Sequence, residues 1–328
     1  MNPLPGTGIP PTASPPPGLK TGIRLGAGRG IRRGLQGFVW IMKILIPVSF
    51  AVALLDWTGW LYALDPVFRP IMAIINLPPQ AALPILSALF SSFYAAVAMM
   101  VVIPFTQAQL ILMAIFISIA HMLVVEGLVQ HKSGMNMAAI TTMRLVAACL
   151  GVYIVSLFLS ETAVPVVMPQ NLEVQVPFSA ALWEWTLDTG SLIVRILFII
   201  VSVMIVLETL KQLGLTDRIA ALFRPFMVLF GLSPKVATMW VTGVFFGLLY
   251  GSAIIVEEAG SGRFTADELK RLHISLGMCH SMVEDPALFL ALGIGLQWTV
   301  LPRLFAAAMA VQLYRMVSTL RRRLQPLT

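Results

Sequence analysis

Apolar residues in this chain fall into blocks of about 20 or more, the length a helix needs to cross a bilayer. Six blocks meet that length: 38–56, 79–103, 136–160, 190–210, 235–256 and 287–314. Two further blocks, 107–128 and 272–285, are apolar but interrupted by polar residues. The pattern predicts an all-α polytopic membrane protein. The polar stretches divide it. Residues 1–35 are rich in Pro and Gly and carry Lys20, Arg24, Arg29, Arg32 and Arg33 without an apolar core, so they are expected to form a disordered basic tail. Residues 161–189 hold Glu161, Glu173, Glu184 and Asp188 and no Lys or Arg, which predicts an external acidic linker. Residues 319–328 form a second basic tail.

The blocks repeat. Phe68-Arg69-Pro70, Met72, Leu77, Pro79 and Ala82 recur 155 positions later as Phe223-Arg224-Pro225, Met227, Leu232, Pro234 and Ala237. Thr106, His121, Glu126 and Arg144 recur 159 positions later as Thr265, His280, Asp285 and Arg303. The offset grows by four through extra residues around Glu257–Gly262. The domains are therefore a first membrane repeat at 36–160 and a second at 190–318. A tandem repeat with ionisable residues in apolar sequence points to a transporter built on pseudo-symmetry.

Composition agrees. Hydrophobic residues are 58% and charged residues 11% of the chain, with a mean hydropathy of +0.88; a soluble domain averages about 25% charged. The net charge of +7 does not imply nucleic acid, because the positives cluster beside spans. There they serve positive-inside placement and contact with anionic membrane lipid. The same rule puts both termini in the cytoplasm of a bacterial inner membrane. With 161–189 outside, each copy crosses an odd number of times, so the repeats are inverted. Each copy has four apolar segments, so one must enter and leave on the same side. The third, which carries the repeated His, is the expected re-entrant or broken one; a split at Pro302 is the alternative. Such irregular backbone survives only under protein or beside a water cavity.

The candidate chemistry sits in the breaks. His121 and Glu126 are five apart, as are His280 and Asp285, which on a continuous helix would point them roughly 140° apart. Asp285 precedes Pro286, so Ser281–Pro286 is expected to end or break a helix. Glu126, Glu284, Asp285, Glu257 and Glu258 are candidates to bind a coupling proton or cation. Arg144, Arg303, His121, His280 and Ser281 are candidates for an anionic or polar substrate, with Arg pairing to Glu126, Glu284 or Asp285 as the structural alternative. Cys279, His280, Glu284 and Asp285 form an alternative metal-ligand set. Gly243, Gly247 and Gly251 read as packing, and Lys43, Arg195 and Glu208 as snorkelling at span ends. Cys149 and Cys279 make neither a disulfide framework nor a zinc site. No hydrolase, metalloprotease, nucleotide or dinucleotide motif is present, so no enzyme and no cofactor is expected. Homo-oligomerisation is left open.

Tyr250-Gly-Ser-Ala-Ile-Ile-Val-Glu-Glu-Ala-Gly-Ser-Gly262 and Gly277-Met-Cys-His-Ser-Met-Val-Glu-Asp-Pro286 resemble the nucleoside-recognition, or Gate-domain, family. Ala120-His-Met-Leu-Val-Val-Glu126 resembles the degenerate partner repeat, with Met122 for the usual Ser and Glu126-Gly127 for Glu-Asp. The resemblance covers about 36–318. It implies a transport-type fold related to concentrative nucleoside transporters and to the permease part of ferrous-iron transporters. The leading expectation is a proton- or cation-coupled secondary transporter of a small polar or anionic solute, nucleoside-like or an organic anion. A divalent-metal permease and a non-transporting scaffold or assembly factor are the alternatives.

Overall fold

A computed structural model of the chain describes residues 18–60, 65–90, 92–159 and 177–324. The first copy runs α1 (Leu19–Trp57), α2 (Asp65–Ala73), a 3-10 turn at Pro79–Ala81, α3 (Ala82–Phe90), α4 (Phe93–Val102), α5 (Gln107–Ile119), α6 (Leu123–Lys132) and α7 (Met137–Ser156). The second runs α8 (Phe178–Gln212), α9 (Leu215–Leu229), a 3-10 turn at Pro234–Val236, α10 (Ala237–Gly260), α11 (Ala266–Cys279), α12 (Glu284–Ala291) and α13 (Leu296–Leu324). Among the described residues there is no strand. Five stretches are long and apolar enough to cross a membrane: Leu19–Leu55, Gln107–Lys132, Met137–Ser156, Phe178–Gln212 and Leu296–Arg321. Large apolar side chains such as Phe158, Phe198 and Phe305 face outward, while Arg144, Arg303, His121, His273 and His280 are buried. Polar groups inside and apolar groups outside is the arrangement a lipid solvent demands. The chain is an all-α polytopic membrane protein.

The repeat is structural as well as sequential. Left-handed backbone recurs at paired positions: Gly59 and Gly214, Asn76 and Gly231, Met122 and Ser281, Gly134 and Gly293. Thr106 and Thr265 each close a capping box, with Gln109 and Glu268 respectively, at the starts of α5 and α11. The extra residues of the second copy lengthen α10 and the turn after it, ahead of α11.

Three expectations change. Residues 19–35, read as tail, are helical and belong to α1; residues 1–17 lie outside the described residues. The cause is a glycine stripe within the basic sequence. A Cβ at Gly26, Gly30 or Gly34 would lie 2.5, 2.4 or 2.9 Å from the Cα of Thr209, Ile205 or Val201. The backbones of α1 and α8 therefore meet along a small-xxx-small seam. Arg33 at this seam pairs with buried Glu208, which does not snorkel. Second, α8 starts at Phe178, so Glu184 and Asp188 are helical and the linker is shorter than 161–189; residues 160–176 lie outside the described residues.

Third, the block 79–103 is not one span. It breaks before Ser92, whose hydroxyl caps α4 by accepting from the Tyr94 N–H at 3.2 Å. Here α3 and α4 are separate helices packed against each other. Each of these helices is about 14 Å long at 1.5 Å per residue, half a bilayer. The second segment of the first copy is thus broken, as is the third, which runs as α5 then α6. Position 92 corresponds to Gly247, where α10 bends at φ 78° and ψ 166°, a conformation open to glycine. Gly247 is a bend and not merely a packing residue.

Candidate functional site

The helix α5 ends at Ile119 and α11 at Cys279; each segment then turns through a left-handed residue, Met122 at φ 45° or Ser281 at φ 50°. That conformation costs a side-chain-bearing residue about 1–2 kcal/mol, so something must hold it in both copies. Two kinds of bond do. Met122 N–H donates to the Ala88 carbonyl at 2.7 Å; Ser281 N–H donates to Gly243 at 3.1 Å and Met282 N–H to Val244 at 2.7 Å. These tie each break to the other broken segment of its own copy.

The second kind comes from arginine. Arg144 on α7 donates from Nε to the Ile119 carbonyl at 2.9 Å and from Nη2 to the His121 carbonyl at 2.8 Å. Arg303 on α13 repeats this, with Nε to Met278 at 3.1 Å and Nη2 to His280. Both guanidiniums cap the carbonyls that the breaks release, at the negative ends of α5 and α11. The remaining arm of each meets a carboxylate: Arg144 Nη1 lies 2.8 Å from Glu126 Oε2, and Arg303 Nη1 3.3 Å from Asp285 Oδ2. These contacts lie off the hydrogen-bond line, so they are ion pairs. Each arginine is thus spent on backbone and carboxylate. Of the two expectations for Arg144 and Arg303, the contacts seen here are those of pairing: a clamp on the break.

The two breaks meet. His121 and His280 face each other with Nε2 atoms 3.2 Å apart. Glu126 Oε1 is 2.9 Å from His280 Nε2 and 3.3 Å from His121 Nε2. Asp285 Oδ2 is 3.9 Å from His121 Nε2. His121, Glu126, Arg144, His280, Asp285 and Arg303 are at most 5% exposed. The break also explains why five residues separate His from carboxylate: α6 and α12 start anew and bring both side chains to one point.

The ring tautomers follow from geometry. His121 Nδ1 lies 2.8 Å from the Ile117 carbonyl and His280 Nδ1 2.8 Å from the Leu276 carbonyl. A carbonyl only accepts, so each Nδ1 carries a hydrogen. Both Nε2 atoms then face one another and Glu126. The three atoms converge on one small volume that a proton on one ring, or a metal ion, can hold together.

Other candidates fall elsewhere. Glu284 accepts a 2.6 Å hydrogen bond from the Tyr94 hydroxyl, beside the centre. Ser281 Oγ fills the notch of Gly247, where a Cβ would lie 2.4 Å from it, so it is a packing group. Glu257 is exposed near the end of α10 and Glu258 pairs with Arg263, so neither reaches the centre. Cys279 donates to the Ser275 carbonyl at 3.1 Å. Among the described residues the cluster with metal-ligand spacing is His121, Glu126 and His280. The set Cys279, His280, Glu284 and Asp285 is not assembled. Sequence reasoning missed Tyr94 and also Phe93, whose ring sits 5.3 Å from His121 and 5.3 Å from Phe289. Both are aromatics in an apolar run, with Leu249 and Leu248 at the matching positions, so no pattern marks them.

The chain is similar to an uncharacterized membrane protein, YvoD, of Bacillus subtilis strain 168: 25% identical over 268 residues, covering 81% of this chain and 86% of that one. No family model matches the chain. No solved structure matches it.

Proposed function

We propose that this protein is a permease of the bacterial inner membrane, with both termini cytoplasmic, that binds a cation at the centre where its two inverted repeats meet. One observation carries this: broken helices from both copies converge on a buried set of two imidazoles, two carboxylates and two guanidiniums. Buried ionisable groups at helix breaks between inverted repeats suit alternating access, in which one repeat rocks against the other around a fixed site. The cation is either the cargo or the coupling ion of a small polar solute. The paired broken-helix repeats also support the resemblance to Gate-domain proteins.

The test is charge movement. Purified protein in proteoliposomes on a sensor surface should give transient currents when a proton or metal-ion gradient is applied. His280→Ala should abolish them, and Glu258→Gln should leave them intact. Currents that survive His280→Ala would rule out the centre as the cation path. A folded protein that gives none under any gradient would favour a scaffold.

A further inference from the structure

We propose that His121, Glu126 and His280 form a three-ligand site for a divalent transition metal of zinc's class, shared between the two repeats. Three observations point there.

The first is spacing. The three ligand atoms stand 2.9, 3.2 and 3.3 Å apart. A point in their plane equidistant from all three lies about 1.8 Å from each, just inside the ~2.0–2.2 Å bonds that zinc makes to nitrogen and oxygen. An ion seated about 1 Å out of that plane would reach all three atoms without any side chain moving. Calcium, with bonds of ~2.3–2.6 Å and six to eight oxygen ligands, fits neither the distances nor the donors.

The second is the state of the rings. Each histidine donates its Nδ1–H to a main-chain carbonyl, which fixes the tautomer and aims the Nε2 lone pair inward. Histidines that ligate metals are commonly held this way. With no metal bound, a proton on one Nε2 has to serve the other ring and Glu126 at this contact, the place an ion would take.

The third is the surrounding set. Arg144 sits on the outer oxygen of Glu126 and leaves the inner one for the ion. Asp285 Oδ2, 3.9 Å from His121 Nε2, stands close enough to take a fourth position or to orient a ligand water. Two nitrogens and a carboxylate oxygen with an open fourth place is the donor set of exchangeable zinc sites rather than of closed structural ones. The site itself stands on this geometry. Its role as the cargo position rests on the permease reading above.

The experiment uses the full chain, purified in detergent and stripped with chelator. Cobalt(II) titration should give visible d–d absorption of a four- or five-coordinate ion, saturating at about one cobalt per chain, and zinc should displace it. His280→Ala should lower cobalt affinity at least ~100-fold, and Glu284→Gln should leave it within about threefold. Pulsed EPR of copper(II)-loaded wild type should show the remote nitrogens of two imidazoles, and this readout needs no variant to fold. Absence of cobalt absorption, equal absorption in His280→Ala, or fewer than two coordinated imidazoles would each overturn the proposal. Liposome currents separate the two readings. A protein that carries proton current without binding cobalt overturns the metal site and keeps the permease. One that binds cobalt but moves no ion keeps the site and overturns the permease.

Discussion

The two breaks share one frame and differ in one methylene. Arg144 and Arg303 clamp them alike, His121 and His280 hang from them alike, and each break passes through a left-handed residue. Yet Glu126 reaches across to both imidazoles, at 2.9 and 3.3 Å, whereas Asp285 comes no nearer than 3.9 Å to His121. The longer side chain turns a two-fold frame into a one-sided site. Symmetry builds the scaffold, and the departure from it chooses the ligand. Other departures gather nearby: Ser281 replaces Met122, Gly247 replaces Ser92, and Glu284 replaces Val125.

The largest expected effect tests the shared frame. Arg144→Ala and Arg303→Ala each leave a buried carboxylate unpaired and free two helix-end carbonyls. Each should cost about 3–5 kcal/mol, read as unfolding in detergent, and the two losses should match. A large loss in one copy only would mean that the frame is not symmetric. The next tests the difference. Glu126→Gln should weaken cation binding ~100-fold, and Asp285→Asn only about tenfold, as for a group that orients ligands; titration of the cation measures both. Equal losses would erase the distinction between the copies.

A smaller effect concerns the first helices of the copies. The small residues at their crossing come from α1, and Gly30→Leu would push a side chain into the Ile205 backbone. It should cost about 1–3 kcal/mol. Gly28→Leu meets nothing within 4 Å and should be nearly neutral by the same melt. Smallest of all, Glu257→Gln and Glu258→Gln should stay within about 0.5 kcal/mol and leave binding unchanged, since both lie near the surface end of α10.

Much of this frame is legible in the chain. The 155- and 159-residue offsets locate the repeated helices and caps, and the ionisable residues that break the apolar blocks are the ones that meet. Three features were hidden for physical reasons. The break between α3 and α4 is marked only by Ser91-Ser92, and two small serines in an apolar block do not announce a helix cap until the Tyr94 N–H is seen on the Ser92 hydroxyl. Gly26, Gly30 and Gly34 sit among arginines, so composition reads as tail while the i+4 spacing carries a helix seam. For the arginines the sequence left two readings, because a planar cation serves a released carbonyl and a carboxylate of the chain as well as an anionic ligand, and only the break's geometry shows the first. That Glu126 crosses to the other copy's imidazole follows from how the copies dock, which no local pattern encodes.

The most direct measurement is the current from wild type and Glu126→Gln in matched proteoliposomes under an applied cation gradient. Wild type should give a transient current that Glu126→Gln loses while still folding and inserting. An undiminished current in Glu126→Gln would contradict the proposed centre, because the carboxylate that spans both copies would then have no part in binding the ion.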